Sequence, residues 1–116
     1  MLEGGQPEKP AIQVCSVAPG DVERQVLAGV EEEGVPCVVS RPRVPADAED
    51  LARAAARLSS LDVGVGIDAD GRVSVAHGLL RDPVADLTSD GPASLDFARA
   101  AGHNAARIVV GIPLRI

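Results

Sequence analysis

Aromatic side chains are almost missing from this sequence. Phe97 is the only one, with no Trp and no Tyr. A core without rings must be assembled from Val, Leu, Ile and Ala, which suits helices lying close on a sheet. Cations are also scarce, with 11 Lys and Arg against 17 Asp and Glu and a net charge of −6. That balance excludes a nucleic-acid backbone as partner, since counterion release needs clustered Lys and Arg. It equally disfavours an anionic membrane surface. No apolar run approaches the ~20 residues that span a bilayer. The opening MLEGGQPEKP lacks the charged start and apolar run of a signal peptide. The two cysteines, Cys15 and Cys37, are therefore expected as reduced thiols in the cytosol. Catalytic signatures are missing too. Gly64-Val65-Gly66 lacks the third glycine and the following helix of a phosphate-binding loop. There is no GxSxG elbow, no CxxC and no paired catalytic histidine, so no residue is assigned a catalytic or cofactor-binding role.

What is present is a hydrophobic fraction of 46% with 24% charged residues over 116 positions, the composition of one compact domain. Residues 1–10 carry no periodicity and are expected to form a flexible leader, with a single domain over 11–116. Residues 11–17 predict a first strand. Pro19-Gly20 turns the chain, and Val22, Val26, Leu27 and Val30 mark the apolar stripe of a helix from Asp21, stopped at Gly34. Residues 35–41 predict a second strand. Pro45, Ala46 and Asp47 open a second helix with Leu51, Ala54, Ala55 and Leu58 on its buried stripe. Residues 61–67 predict a strand buried on both faces, its glycines admitting a helix backbone. Asp70-Gly71 predicts a hairpin into RVSVAH. A third helix runs from Ser94 to Val110 on Phe97, Ala98, Ala101, Ala105 and Ile108, with Gly102 as a possible break. IPLRI predicts a final strand. The order β-α-β-α-β-β-α-β gives an α/β fold: a three-layer α/β/α sandwich around a mixed, mostly parallel sheet of about five strands, one of them antiparallel.

The most informative local feature is Glu31-Glu32-Glu33 before Gly34. Three acids in the last turn oppose the helix macrodipole, at about 0.3–1 kcal/mol each when exposed. At about 100° per residue, Glu33 falls near the apolar stripe and Glu32 points away from it. Such a carboxylate can ligate a hard cation, meet a basic partner, or simply be solvated. Asp68-Ala69-Asp70-Gly71 lacks the later ligands of a calcium loop and reads as a tight turn. His77 has no metal-ligand companion and reads as a structural or surface histidine. His103 and Arg107, beside Asn104 and Arg99, read as the outward face of the third helix, either a polar contact surface or a solvated one. Cys15 and Cys37 read as small core residues.

Three motifs in order carry a family resemblance. Gly29-Val30-Glu31-Glu32-Glu33-Gly34-Val35-Pro36 resembles the G-I-E-E-E-G-I-P signature of small subunits of diol and glycerol dehydratase reactivating factors. Val63-Gly64-Val65-Gly66-Ile67 resembles that family's central strand. The segment from Gly102 through Asn104, Arg107 and Gly111 to Arg115 resembles its C-terminal G-x-N-A-A-R-L-V-x-G-I-P-F-R. His103 stands where Asn is common and Leu114 where Phe is, and residues 68–93 differ in detail. The resemblance implies a three-layer α/β/α domain and a chaperone-like, non-catalytic role. It implies a large partner subunit with an actin-like ATPase domain, and release of damaged cobalamin from a B12-dependent dehydratase by subunit swapping with the dehydratase. It further implies that Glu32 coordinates a divalent metal, Mg²⁺ or Ca²⁺, at the interface with the large subunit. Glu31, Glu32, His103, Asn104 and Arg107 are the expected interface residues. The expected setting is the cytosol, with a bacterial microcompartment as a permitted one. Two alternatives stand beside this: a medium-type subunit of a dehydratase holoenzyme, and a small-molecule-binding α/β domain with a pocket at the C-terminal strand ends.

Overall fold

A computed structural model describes residues 10–78 and 87–111. The elements are β1 (Ile12–Ser16), α1 (Asp21–Glu32), β2 (Cys37–Ser40), α2 (Ala48–Leu58), β3 (Val63–Ile67), β4 (Val73–His77) and α3 (Leu95–Val110). The predicted IPLRI strand and most of the irregular stretch after residue 78 lie outside the described residues. Four strands are therefore seen where about five were expected, in the order β2-β1-β3-β4. β1 pairs in parallel with β2 and β3, and β3 pairs antiparallel with β4.

The layers follow from the direction of the crossovers. The chain passes from β1 to β2 on one side, then back over β1 to β3 on the other. Right-handed connections in opposite directions put α1 and α2 on opposite faces. Strand alternation agrees. Gln13 is in register with Val38 and Gly64, and Cys15 with Ser40 and Gly66, so these six share one face. That face receives α2: a Cβ on Gly64 would lie 2.7 Å from the Ala55 carbonyl carbon, and one on Gly66 would lie 2.9 Å from the Leu51 Cβ. The opposite face carries Ile12, Val14, Val63, Val65, Ile67, Val73 and Val75, which pack with Val26 and Val30 of α1 and Ala98, Ala101 and Ala105 of α3. This is the larger core, and Val and Ala fill most of it.

Asp70-Gly71 makes the predicted turn. Gly71 adopts φ 85°, and the Asp68 carboxylate accepts from the backbone N–H groups of Asp70 and Arg72. Asp68 is thus a turn-builder. Gly34, at φ 78°, follows the last turn of α1 as predicted. Two helical expectations are corrected. Leu58 is 72% exposed, whereas Ala48, Leu51, Ala52, Ala55 and Ala56 are buried; the α2 stripe is centred one residue round from where Leu58 would join it. Gly102 does not interrupt α3, which runs unbroken through it. α1 and α3 instead touch backbone to backbone there. A Cβ on Gly102 would run into the Val26 carbonyl oxygen, and one on Gly29 would collide with the Arg99 carbonyl and lie 2.9 Å from the His103 nitrogen.

Candidate functional site

The close approach at Gly29 and Gly102 determines what happens one turn further along. With no side chains holding the helices apart, the C-terminal acids of α1 come within reach of the cations of α3. The Arg99 Nε donates to Glu32 Oε1 at 2.9 Å, and its Nη2 donates to Glu32 Oε2, a two-point guanidinium–carboxylate pair. The Arg99 Nη1 donates to Gln25 Oε1 at 3.1 Å. His103 sits between two acids, with Nε2 2.8 Å from Glu32 Oε1 and Nδ1 2.6 Å from Glu33 Oε2. As an imidazolium it donates from both nitrogens. Arg107 Nε donates to Glu33 Oε2 at 2.9 Å.

The three acids have different surroundings. Glu31 is exposed, the Glu32 side chain is 41% exposed, and that of Glu33 is 13% exposed. The helical wheel's placement of Glu33 nearer the core than Glu32 agrees with this, whereas the outward-aimed Glu32 is held against α3. The hydrogen bonds from Arg99 hold the Glu32 carboxyl down at about 2. Those from His103 and Arg107 lower Glu33. The unfavourable acid run at the negative end of α1 is thus compensated, with the counter-charges coming from α3.

Of the residues expected at an interface, the structure brings Glu32, His103 and Arg107 into one cluster and leaves Glu31 outside it. The expectation that His103 and Asn104 face outward is corrected: both are buried, Asn104 at 3% exposure. The reason is geometric. Gly102 draws α1 onto the side of α3 that a wheel of α3 alone treats as free, and residues 101–106 are buried right round the helix. Sequence reading missed Arg99 as the partner of Glu32 and Glu33 as the partner of His103. No spacing within one helix signals a contact between residues 67 or 70 positions apart.

The residues present do not fit a metal. Both Glu32 oxygens already accept from Arg99, with His103 against Oε1, and Glu33 Oε2 meets both His103 and Arg107. Among the described residues no group of three or more His, Cys, Asp or Glu is placed to hold an ion.

A second polar cluster lies at the C-terminal ends of β1 and β2. Arg41 pairs with the buried Glu23 of α1 through Nη1 and, at 3.4 Å, through Nη2. Its Nη1 also donates to the Ser16 carbonyl at 3.3 Å. Burial raises the Glu23 carboxyl, but bonds from Arg41 and Ser16 outweigh it and leave the group below its ordinary value. The Val17 N–H donates to the Ile67 carbonyl at 3.1 Å, keeping β1 and β3 joined at the crevice where open α/β sheets often bind ligands. Cys15 is buried and Cys37 half-buried, and neither forms a disulfide. Burial raises the Cys37 thiol, as does the nearby Glu31 charge. No helix among the described residues is long and apolar enough to cross a membrane.

Comparison with known proteins agrees with this architecture. The family model described as dehydratase medium subunit matches residues 9–115. The propanediol dehydratase-reactivating factor small subunit of Salmonella typhimurium is 37% identical over 91 residues, covering 78% of this chain and 77% of that protein. The probable glycerol dehydratase-reactivating factor small subunit of Citrobacter freundii is 34% identical over 89 residues, 73% of each. A solved glycerol dehydratase reactivase chain superposes with a TM-score of 0.83 at 32% identity, covering 93% of this chain and 98% of its own. A chain of a diol dehydratase-reactivating factor complexed with ADP and Mg²⁺ superposes with a TM-score of 0.81 at 33% identity, covering 94% of this chain and 100% of its own.

Proposed function

We propose, from the premise that this chain belongs to the dehydratase medium-subunit family, that it works as the small subunit of a dehydratase reactivating factor. The observation that carries this is the match to reactivating-factor small subunits, whose likeness extends over nearly the whole fold. In this reading the chain is a non-catalytic docking subunit in the cytosol. Nucleotide chemistry belongs to a large partner subunit, a division consistent with the ADP and Mg²⁺ of the related complex. The chain binds the large subunit, leaves it, and takes the place of the like-folded medium subunit in an inactivated dehydratase, so that damaged cobalamin escapes. The end of α1, with Glu31 and Glu32 outward, and the neighbouring Arg99 and Arg107 form the docking surface.

Co-expression with a reactivase large subunit tests the reading. A stable complex is expected, and Glu32→Ala should weaken it about tenfold or more, the usual effect of removing a charged group with hydrogen-bonded partners at an interface. A complex insensitive to Glu32→Ala would remove this surface from the account, and no complex at all would remove the role. The name of the matching family supports a second reading, a medium-type subunit of the dehydratase holoenzyme. Cobalamin binding by the purified chain would favour that one.

A further inference from the structure

The family resemblance calls for a divalent metal on Glu32, yet the carboxylate is already satisfied on both oxygens. Arg99 approaches it with a two-point fork and is itself oriented by a third bond, to Gln25. His103 supplies the remaining contact from the side of Glu33. A hard divalent cation collects several oxygen ligands, and here the nearest groups to Glu32 are a guanidinium and an imidazole. We infer that Arg99 is the resident cation of Glu32: its guanidinium engages both carboxylate oxygens, so the carboxylate is closed to metal while α1 and α3 remain paired. This rests on the docking reading in placing Glu32 on the working surface, but it concerns the state of that surface in the chain itself. The arrangement also accounts for the acid run. Glu32 and Glu33 are counter-charged by Arg99 and Arg107 and contacted by His103, leaving Glu31 as the one acid of the three outside the cluster.

The test is a Mn²⁺ titration of the intact chain, followed by paramagnetic broadening of the backbone amide signals of residues 31–33. The wild-type chain is expected to show no selective broadening there below millimolar Mn²⁺. Removing a unit positive charge at contact distance from a doubly charged ion should lower the required concentration by about tenfold or more in Arg99→Ala. Arg99→Lys, which keeps the charge but loses the fork, should fall between the two, and Arg99→Ala combined with Glu32→Gln should return to the wild-type response. Arg99→Gln serves equally if thermal melting shows the alanine variant to be unfolded. Equal broadening in wild type and Arg99→Ala overturns the inference, and so does broadening in neither. Those results leave the docking reading untouched, because that reading stands or falls on the effect of Glu32→Ala on the complex with the large subunit.

Discussion

At the scale of single residues, charge placement separates what periodicity can read from what it cannot. Glu23 lies three and seven residues before Val26 and Val30, on the apolar stripe itself, and a carboxylate there needs a partner. The signal was in the sequence, but the identity of Arg41, at the far end of β2, was not. Breaking this pair leaves Arg41 with only the Ser16 carbonyl of its acceptors, and a lost hydrogen bond to a charged group is worth about 1.5–3 kcal/mol. Glu23→Gln is therefore expected to lower the melting temperature by several degrees at neutral pH. The sign of the pH dependence follows from the lowered carboxyl. The contribution is complete above the ordinary glutamate value of 4.5 and is lost as the pH falls through the depressed folded value. Thermal melts across an acid series should show a gap between wild type and Glu23→Gln that is constant down to that ordinary value and closes below it. A gap of the same size after full protonation would mean that the ion pair is not its source.

At the scale of elements, the helices and strands were legible because their periods are strong, and the four described strands and three helices fall where the pattern puts them. What failed was the azimuth of helices. Periodicity points Leu58 inward because it extends the run Leu51, Ala54, Ala55. The small residues Ala48, Ala52 and Ala56 take the contact instead, since at Gly64 and Gly66 the α2 backbone lies directly on the strand. Seen from α3 alone, Gly102 reads as a helix-breaker, whereas its role is set by the α1 backbone lying against it. The Gly29–Gly102 crossing gives a direct test. Gly29→Ala and Gly102→Ala each force a methyl group into the facing backbone, and overpacking of this kind costs about 1–3 kcal/mol or more. Gly91→Ala, with nothing within 4 Å of the added carbon, should stay within about 0.5 kcal/mol of wild type, as surface substitutions do. Urea unfolding of the three variants checks this. Because the crossing positions Arg99 against Glu32, the two destabilised variants should also lose the wild-type protection of Glu32 from Mn²⁺. Leu58→Gln, at an exposed site, should leave the free chain's stability unchanged within about 0.5 kcal/mol.

At the scale of the whole molecule, the fold class is readable from the order of the elements and the family resemblance from three motifs, while the pairing of Glu32 and Glu33 with α3 is not, because it depends on how two helices cross. The same architecture makes stability uneven. β1 and β3 are central, paired on both edges, and carry the side chains at the middle of the larger core. Among the described residues β2 is an edge strand of four residues bonded on one side only, with Val38 exposed. Opening β2 therefore removes one ladder and little buried area, whereas opening β1 breaks two ladders and both faces of the core. Native-state hydrogen exchange should rank the hydrogen-bonded amides accordingly: Val14 and Val65 slowest, at the free energy of global unfolding, and those of β2 faster through a local opening. Ile12→Ala tests the same point by mutation. Ile12 is fully buried, and truncation at such a site costs about 2–5 kcal/mol, a large share of the roughly 5–15 kcal/mol that holds a domain together. That loss should accelerate exchange in β1, β3 and α3 together, since their side chains share one core, while leaving the local opening of β2 at its original rate. If β2 instead exchanges as slowly as β1, its outer edge is protected in solution, and the sheet is more evenly held than the order of the four described strands implies.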